Sequence, residues 1–177
     1  MSNTEKVDAY GIEEMGWDRV PFDIVDKTVI ELMSLKGKKA IVTGASGVGL
    51  GYAVANRLAG LGADVVMVGR SEKIYKNAEE VAKKWGVKTY PLQCDLTDYE
   101  ATGEMFKKAN ELMGRIDILI NNAMSTHNGP FHMFDEKMIR ESIDGSFTSQ
   151  VSCSTLTFVK YLKILLRKNM KYVNLCY

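Results

Sequence analysis

Cysteine, proline and histidine are scarce in this chain of 177 residues, which contains 3, 3 and 2 of them respectively. An odd number of cysteines cannot pair completely, and their spacing matches neither a disulfide framework nor a metal site. We therefore interpret them as buried or half-buried thiols, typical of a reducing cytoplasm, and expect no metal. They are Cys94, Cys153 and Cys176.

An excess of charge of either sign is also missing, because 23 basic and 22 acidic side chains leave a formal net charge of +1. Such a chain has no long-range field to attract a polyanion or an anionic membrane, so we expect neither as a partner. The most apolar late stretch, residues 156–166, contains Lys160 and Lys163 and falls short of the roughly 20 residues of a membrane span. It is predicted to form a buried helix. No targeting segment is predicted in residues 1–26.

From Lys39 onward the chain alternates short β-branched runs with longer amphipathic stretches, which is typical of βαβ units. This pattern predicts an α/β fold, with a parallel sheet covered by helices on both faces. Five strands are predicted: Ala40–Thr43, Asp64–Val68, Thr89–Gln93, Ile116–Asn121 and Tyr172–Cys176. The predicted helices are Leu50–Leu61, Ser71–Trp85 and Tyr99–Met113, followed by a long helical region from about Asp135 to Lys168.

A glycine-rich turn, Thr43-Gly44-Ala45-Ser46-Gly47-Val48-Gly49-Leu50-Gly51, follows the first predicted strand. A dinucleotide's pyrophosphate must approach the backbone closely at a helix N-terminus, where unpaired N–H groups favour negative charge, and glycine permits that approach. The order strand, turn, helix, strand therefore favours a Rossmann-type doubly wound fold over a merely flexible turn. The cofactor-binding residues predicted here are Gly44, Ser46, Gly47, Val48, Gly49, Leu50 and Gly51.

Three segments together resemble the short-chain dehydrogenase/reductase family. The glycine turn resembles the family's T-G-x-x-x-G-x-G with one extra residue. Cys94-Asp95-Leu96-Thr97 resembles its segment beside the adenine, and Asn121-Asn122-Ala123-Met124 resembles its N-N-A-G motif. The resemblance implies that Asp95 bonds the adenine amino group, that Asn121 stabilises the sheet beside the cofactor, and that Leu96 and Ala123 belong to the same site. It also implies an N-terminal extension at 1–36 and an NAD(P)-binding domain at 37–177.

The end of the second predicted strand bears on the choice of cofactor. Arg70 and Ser71 stand there, without the carboxylate that bonds a ribose hydroxyl in proteins that bind NAD or S-adenosylmethionine. The Arg70 guanidinium can pair with a 2′-phosphate and Ser71 can donate its hydroxyl, so NADP(H) is predicted in preference to NAD(H). A solvated loop charge is the alternative reading of Arg70. The missing acid also counts against a class I methyltransferase, whose G-x-G-x-G pattern residues 47–51 fit.

The family's catalytic pair, a Tyr with a Lys four residues later, occurs nowhere in the sequence. The resemblance aligns Ser142 with the family's helix Asn and Tyr177 with its catalytic Ser. We therefore expect a truncated or naturally shortened member whose catalytic residues are unknown. His127 and His132 are alternative acid–base groups, although no partner at a defined spacing supports them.

The resemblance implies an NADP(H)-binding oxidoreductase that interconverts a carbonyl and a secondary alcohol by hydride transfer, this chain holding the cofactor half. Its substrate, if it is active, would be a small-molecule carbonyl or alcohol. The alternatives are a non-catalytic nucleotide-binding or interaction protein derived from the family and, with less support, a class I methyltransferase. Because relatives pack the region after Asp135 into a subunit interface, a homo-oligomer is expected.

Overall fold

The computed structural model describes residues 27–157, and its contacts divide the chain after Ser34 into two compact units. In the first unit, the short helix α1 (Val29–Met33) begins with a capping box. Thr28 accepts the backbone N–H of Glu31, and the Glu31 carboxylate accepts the N–H of Thr28. Most of the predicted extension, residues 1–26, lies outside the described residues.

Four parallel strands form the sheet within the described part of the second unit, in the order β3-β2-β1-β4. They are β1 (Lys39–Thr43), β2 (Asp64–Gly69), β3 (Thr89–Gln93) and β4 (Ile118–Ile120). The two central strands, β1 and β2, are buried along almost their whole length, which explains their continuous apolar sequences. The predicted fifth strand, residues 172–176, lies outside the described residues.

Helices cover both faces of the sheet, as predicted for the α/β class. They are α2 (Leu50–Gly60), α3 (Lys73–Trp85) and α4 (Tyr99–Met113). On one face, α2 and α3 pack their alanines and Ile74 against Val42 and Met67. On the other, α4 packs Phe106 against Ile41 and Val66. Successive residues of a strand therefore pack into two separate cores, because side chains along a strand alternate between the two faces of the sheet.

A long helical segment after β4 is interrupted by one π-helical turn. It consists of α5 (Glu136–Ile143), the π turn (Asp144–Thr148) and further α-helix over residues 149–157. The π turn lies against the loop after β4, since a Cβ on Gly145 would lie 2.6 Å from the Cβ of Ser125. The rest of the predicted helical region lies outside the described residues.

Among the residues described, no helix combines the length and the apolar character that crossing a membrane demands.

Side chains explain the boundaries of β4 and the start of α3, which differ from the predicted ones by up to two residues, whereas the other strand and helix boundaries agree to within one residue. The strand predicted at Ile116–Asn121 forms only over Ile118–Ile120. Before it, Asp117 uses its carboxylate to accept the backbone N–H of Lys39 at 2.8 Å, and after it the Asn121 amide bonds to the long helix. Helix α3 begins two residues later than predicted, because the Ser71 hydroxyl accepts the N–H of Lys73.

The amino end of the sheet is held by charges around Asp64. Its carboxylate accepts hydrogen bonds from the Lys39 ammonium and from the backbone N–H of Lys88. Partial burial opposes ionisation, but these hydrogen bonds and the two lysine charges outweigh it, so the pKa of Asp64 lies below its ordinary value of 3.8. A carboxyl group whose folded-state pKa is lowered stabilises the fold above its unfolded pKa and ceases to do so as the pH falls through the folded pKa.

We expect the Asp64→Asn variant to be about 1–2 kcal/mol less stable than the parent at pH 7, because it loses a partly buried charged hydrogen bond. The difference should shrink at pH 3, because this pH lies below the ordinary pKa of 3.8 and protonation of the unfolded chain then opposes folding of the parent. Urea unfolding at both pH values measures it. Glu104→Gln, which removes an exposed carboxylate, serves as the control. An equal difference at both pH values would contradict the role assigned to the charge.

Candidate functional site

The carboxyl ends of all four strands meet at a cleft of about 500 Å³. The cleft is also bordered by the π turn, through Gly145, and by Ser149 on the helix beyond it. In open α/β sheets, ligands bind outside the carboxyl ends of the strands. The cleft therefore lies where this architecture places a ligand.

Many of the predicted site residues line the cleft together. They are Gly44 and Ser46 after β1, Arg70 and Ser71 after β2, Asp95 and Leu96 after β3, and Ala123 after β4. Residues 47–51 and Asn121 are outside its lining. The sequence reasoning missed Gly69, Thr97, Asn122, Met124 and Ser125, which also line it. All of these except Ser125 adjoin a predicted residue in the sequence, so position at a strand end was the available signal.

Close packing requires glycine at the two ends of the turn. Gly44 has a φ of +70°, and a Cβ there would lie 2.8 Å from Asn122 Nδ2. Gly51 lies in the first turn of α2, where a Cβ would be 2.5 Å from the same nitrogen and would collide with the Gly44 carbonyl. The helix therefore approaches β1 so closely that no side chain fits between them.

The middle of the turn is open by contrast. A Cβ on Gly49 would meet nothing within 4 Å, and one on Gly47 would meet only the Gly49 nitrogen, at 3.8 Å. In the described part of the chain, the backbone N–H groups of residues 46–52 find no acceptor. Open space beside unpaired N–H groups at a helix N-terminus is the arrangement that binds an anion.

Thr43 and Asn122 join the ends of β1 and β4. The buried Thr43 hydroxyl accepts the N–H groups of Asn122 and Ala123, each at 3.0 Å, and donates to the Ile120 carbonyl. The Asn122 side chain donates to the Thr43 carbonyl at 3.0 Å and reaches that of Gly44 at 3.4 Å. The loop after β4 and the glycine turn are thereby fixed relative to each other.

Arg70 follows the end of β2 and lines the cleft. Arg70 is exposed, and its side chain pairs with no carboxylate among the residues described. Gly69 before it has no room for a Cβ, which would lie 2.6 Å from the Ser46 hydroxyl oxygen. Ser46 of the glycine turn and the end of β2 are therefore in direct contact, and the turn and Arg70 border one space.

Asp95 lines the same cleft as that arginine. The backbone N–H of Thr97, at 3.0 Å from Oδ1, is the largest cause that lowers the pKa of Asp95. Partial burial opposes this effect, whereas the Thr97 hydroxyl and the charge of Arg70 add to it. The carboxylate is thus ionised at neutral pH and is held in place as a hydrogen-bond acceptor.

The remaining predicted positions lie on the side of the long helix. The Asn121 amide donates to Ser154 Oγ at 2.8 Å and to the Gln150 carbonyl, while its buried Oδ1 has no partner among the described residues. The Ser142 hydroxyl donates to the Met138 carbonyl and accepts the backbone N–H of His127. Tyr177, the other predicted position, lies outside the described residues.

The structure supplies a partner for His127 that sequence spacing did not reveal. Its Nε2 lies 2.7 Å from Glu141 Oε2 on α5, although neither residue lines the cleft.

The two described cysteines, Cys94 and Cys153, are buried, as their sequence context indicated. Burial raises the pKa of both thiols, that of Cys153 to about 11, so neither is a thiolate at neutral pH. In the described part of the chain, no group of three or more acidic, histidine or cysteine side chains is arranged to hold a metal ion.

Comparison with known proteins gives matches to one family. The model of the short chain dehydrogenase family matches residues 38–170. An NADP-dependent mannitol dehydrogenase of Alternaria alternata is 32% identical over 139 residues, which cover 76% of this chain and 52% of that protein. A 3-oxoacyl-acyl-carrier-protein reductase of Aquifex aeolicus is 35% identical over 120 residues, covering 65% of this chain and 48% of the reductase.

A solved structure has the same fold. The NADPH-dependent 3-quinuclidinone reductase from Rhodotorula rubra superposes with a TM-score of 0.72 at 25% identity, covering 84% of this chain and 54% of the reductase. The chain therefore spans about half the length of the relatives that it matches.

Proposed function

The chain belongs to the short-chain dehydrogenase family, and from this premise we propose that it binds NADP(H) as the cofactor half of an oxidoreductase acting on a carbonyl or a secondary alcohol. The main support is the combination, among residues 27–157, of backbone N–H groups in the glycine turn that have no acceptor and a guanidinium beside them that pairs with no carboxylate. An anion-binding turn and a separate cation suit a ligand that carries a pyrophosphate and a second phosphate.

Each part of the proposed cofactor has residues suited to hold it. The N–H groups of residues 46–52 would bind the pyrophosphate, and the open space at Gly49 permits its approach. Arg70 and Ser71 would bind the 2′-phosphate, which an ionic guanidinium pairs with in bidentate geometry. Asp95 would accept a hydrogen bond from the adenine amino group, with Leu96 and Ala123 in the same cleft. Directly after β2 the chain has Arg70 and Ser71, and not the acidic residue that would favour NAD(H).

The sequence lacks the family's Tyr and Lys pair, so we propose that this chain alone binds the cofactor without transferring hydride to a substrate. The bound nicotinamide would supply the hydride, but the proton for the substrate oxygen needs a donor within hydrogen-bond reach. Ser142 at the family's Asn position is engaged with Met138 and His127. A non-catalytic nucleotide-binding protein derived from the family is the second candidate.

Calorimetric titration of the purified chain with NADPH, NADH and S-adenosylmethionine tests the proposal. We expect NADPH to bind more tightly than NADH, and no binding of S-adenosylmethionine. Absence of NADPH binding, or preferential binding of S-adenosylmethionine, would refute it. Turnover of a carbonyl substrate by this chain alone would show that another group replaces the missing pair.

The Arg70→Ala variant should bind NADPH about 10- to 100-fold more weakly than the parent, because a hydrogen-bonded charge pair is worth roughly 1.5–3 kcal/mol. Its affinity for NADH should change little, since that cofactor has no 2′-phosphate. Lys73→Ala, which removes a nearby exposed cation, is the matched control. Equal losses for both cofactors would argue that Arg70 is not a 2′-phosphate ligand.

We also propose that the long helix mediates self-association with a second copy of the chain. Four apolar side chains recur along it at one-turn spacing and remain exposed: Ile139 at 39%, Ile143 at 50%, Phe147 at 69% and Val151 at 47%. A continuous exposed apolar stripe of this kind is unusual on a monomer and typical of an interface. The same stripe on each copy would be self-complementary about a two-fold axis.

Light scattering at micromolar concentration should therefore find an oligomer, and Phe147→Asp should shift it towards the monomer by placing a charge in the interface. Leu112→Asp, the same kind of change at an exposed apolar position on α4, is the control. A parent chain that is strictly monomeric would contradict the proposed self-association.

A further inference from the structure

A side chain from α3 holds the carbonyl groups of the glycine turn. The half-buried amide of Asn77 places Nδ2 3.2 Å from the carbonyl oxygen of Ala45, 3.1 Å from that of Ser46 and 3.3 Å from that of Gly47. Three successive carbonyls of one turn are therefore shared by a single donor group that lies about 30 residues further along the chain.

The orientation of this amide follows from its surroundings. Nδ2 carries the two hydrogens of the side-chain amide, whereas Oδ1 can only accept. With three carbonyl oxygens as neighbours, the reversed orientation would bring like partial charges together and leave all three without this donor. Asn77 therefore acts here as a donor.

Holding the carbonyls also directs the N–H groups of the turn. In a trans peptide the C=O of one residue and the N–H of the next point in opposite directions. Fixing the carbonyls of Ala45, Ser46 and Gly47 towards α3 turns the N–H groups of residues 46–48 away from it. Those N–H groups are among the ones that find no acceptor in the described chain.

Other contacts fix the two ends of the turn, whereas its middle has only the packing of Ser46 against Gly69. At the start, the Ala45 N–H bonds to the Val68 carbonyl at 2.9 Å. At the end of the turn, Gly51 packs closely against Gly44 and Asn122. Between them, residues 46–49 have no other hydrogen bond to the body of the domain within the described chain, apart from the Gly49 carbonyl at the start of α2. The conformation of this middle section therefore depends on Asn77.

We infer that Asn77 is a positioning residue for the cofactor, because its amide holds three carbonyls of the glycine turn and so aims the opposite N–H groups at the pyrophosphate. This inference rests on the proposed binding of NADP(H). Asn77 itself would touch no part of the cofactor.

Two variants test it, each compared with the parent for binding of NADPH and of adenosine 2′-monophosphate. Asn77→Asp keeps the shape but removes both donor hydrogens, and Asn77→Ala removes the amide without adding charge. Both should weaken NADPH binding at least tenfold. Binding of adenosine 2′-monophosphate should stay within twofold, because that ligand has no pyrophosphate and relies on the Arg70 side of the cleft.

The matched control is Asn56→Asp. Asn56 uses its Oδ1 to accept the Trp85 Nε1–H at 2.6 Å, and a carboxylate oxygen preserves that bond. This control should bind NADPH as the parent does. A general loss of structure would weaken both ligands together, so equal losses in the Asn77 variants would overturn the inference, as would unchanged NADPH binding.

A second measurement needs no ligand. In ¹⁵N relaxation experiments, the order parameters of residues 46–48 should be near the rigid value of about 0.85 in the parent and fall towards about 0.6 in both Asn77 variants. If the parent does not bind NADPH but the order parameters fall in this way, the proposed function fails while the positioning role stands. Unchanged order parameters would overturn the positioning role itself.

Discussion

Replacing Thr43 by Val is expected to lower the free energy of unfolding by about 2–5 kcal/mol, although the two side chains have nearly the same shape. Thr43 is 1% exposed, so no water reaches the position. Its hydroxyl is the acceptor for the backbone N–H groups of Asn122 and Ala123. Valine leaves both without this acceptor at a partly buried site, which costs about 1–3 kcal/mol for each group.

The matched control is Thr43→Ser, which keeps the hydroxyl and loses only a methyl group. Urea unfolding followed by circular dichroism should give a loss of about 1 kcal/mol for Ser and a clearly larger one for Val. NADPH binding to the Val variant should weaken as well, because the loop after β4 and the glycine turn lose their common anchor. Equal destabilisation by Val and Ser would contradict the role of the hydroxyl.

The second large effect is expected at Gly51, where alanine adds a single methyl group. Its Cβ would lie 2.5 Å from Asn122 Nδ2 and would collide with the Gly44 carbonyl, which belongs to the backbone and cannot rotate away. Helix α2 must then move from β1, at a cost of about 1–3 kcal/mol or more for overpacking. The helix carries the unpaired N–H groups with it, so NADPH affinity should fall by more than about tenfold.

Gly49→Ala separates the stability of the turn from its proposed ligand role. Gly49 has a φ of −85°, and a Cβ there meets no atom within 4 Å. Its unfolding free energy should therefore stay within about 0.5 kcal/mol of the parent. NADPH should nevertheless bind more weakly, because the methyl group would project into the space proposed for the phosphates.

For the Gly51 prediction, a Gly51→Ala variant as stable as the parent would contradict the packing described between α2 and β1.

Much of the fold could be predicted because local sequence and tertiary position agree. The strand Thr89–Gln93 and the helix Tyr99–Met113 form over the residues predicted for them. Helices α3 and α4 end at Trp85 and Met113 and are capped by Gly86 and Gly114, each with positive φ, so the end of the hydrophobic periodicity and the glycine coincide. The β4 boundaries were less predictable, because they depend on hydrogen bonds to residues far away in the sequence.

The candidate site was likewise predictable in part. Arg70, Ser71, Asp95 and Ala123 were identifiable because parallel strands bring their carboxyl ends to one edge, whatever lies between them. The bonds that Asn77 and Asn122 make to the glycine turn were not identifiable, although Asn122 stands in the N-N-A-G segment at a strand end. Neither stands in a position that the glycine motif marks, and each acts on carbonyls at least 30 residues away.

The sequence by itself determined the α/β class, the family and the strand ends that carry polar groups, because these follow from periodicity, glycine placement and short motifs. Only the tertiary structure decided which residues of the turn need glycine and which amides hold its carbonyls. It also showed that Asn121 is turned towards the long helix. These properties depend on distances between segments, which β1, β4 and the helices set when they pack. No single segment of the sequence indicates these distances by itself.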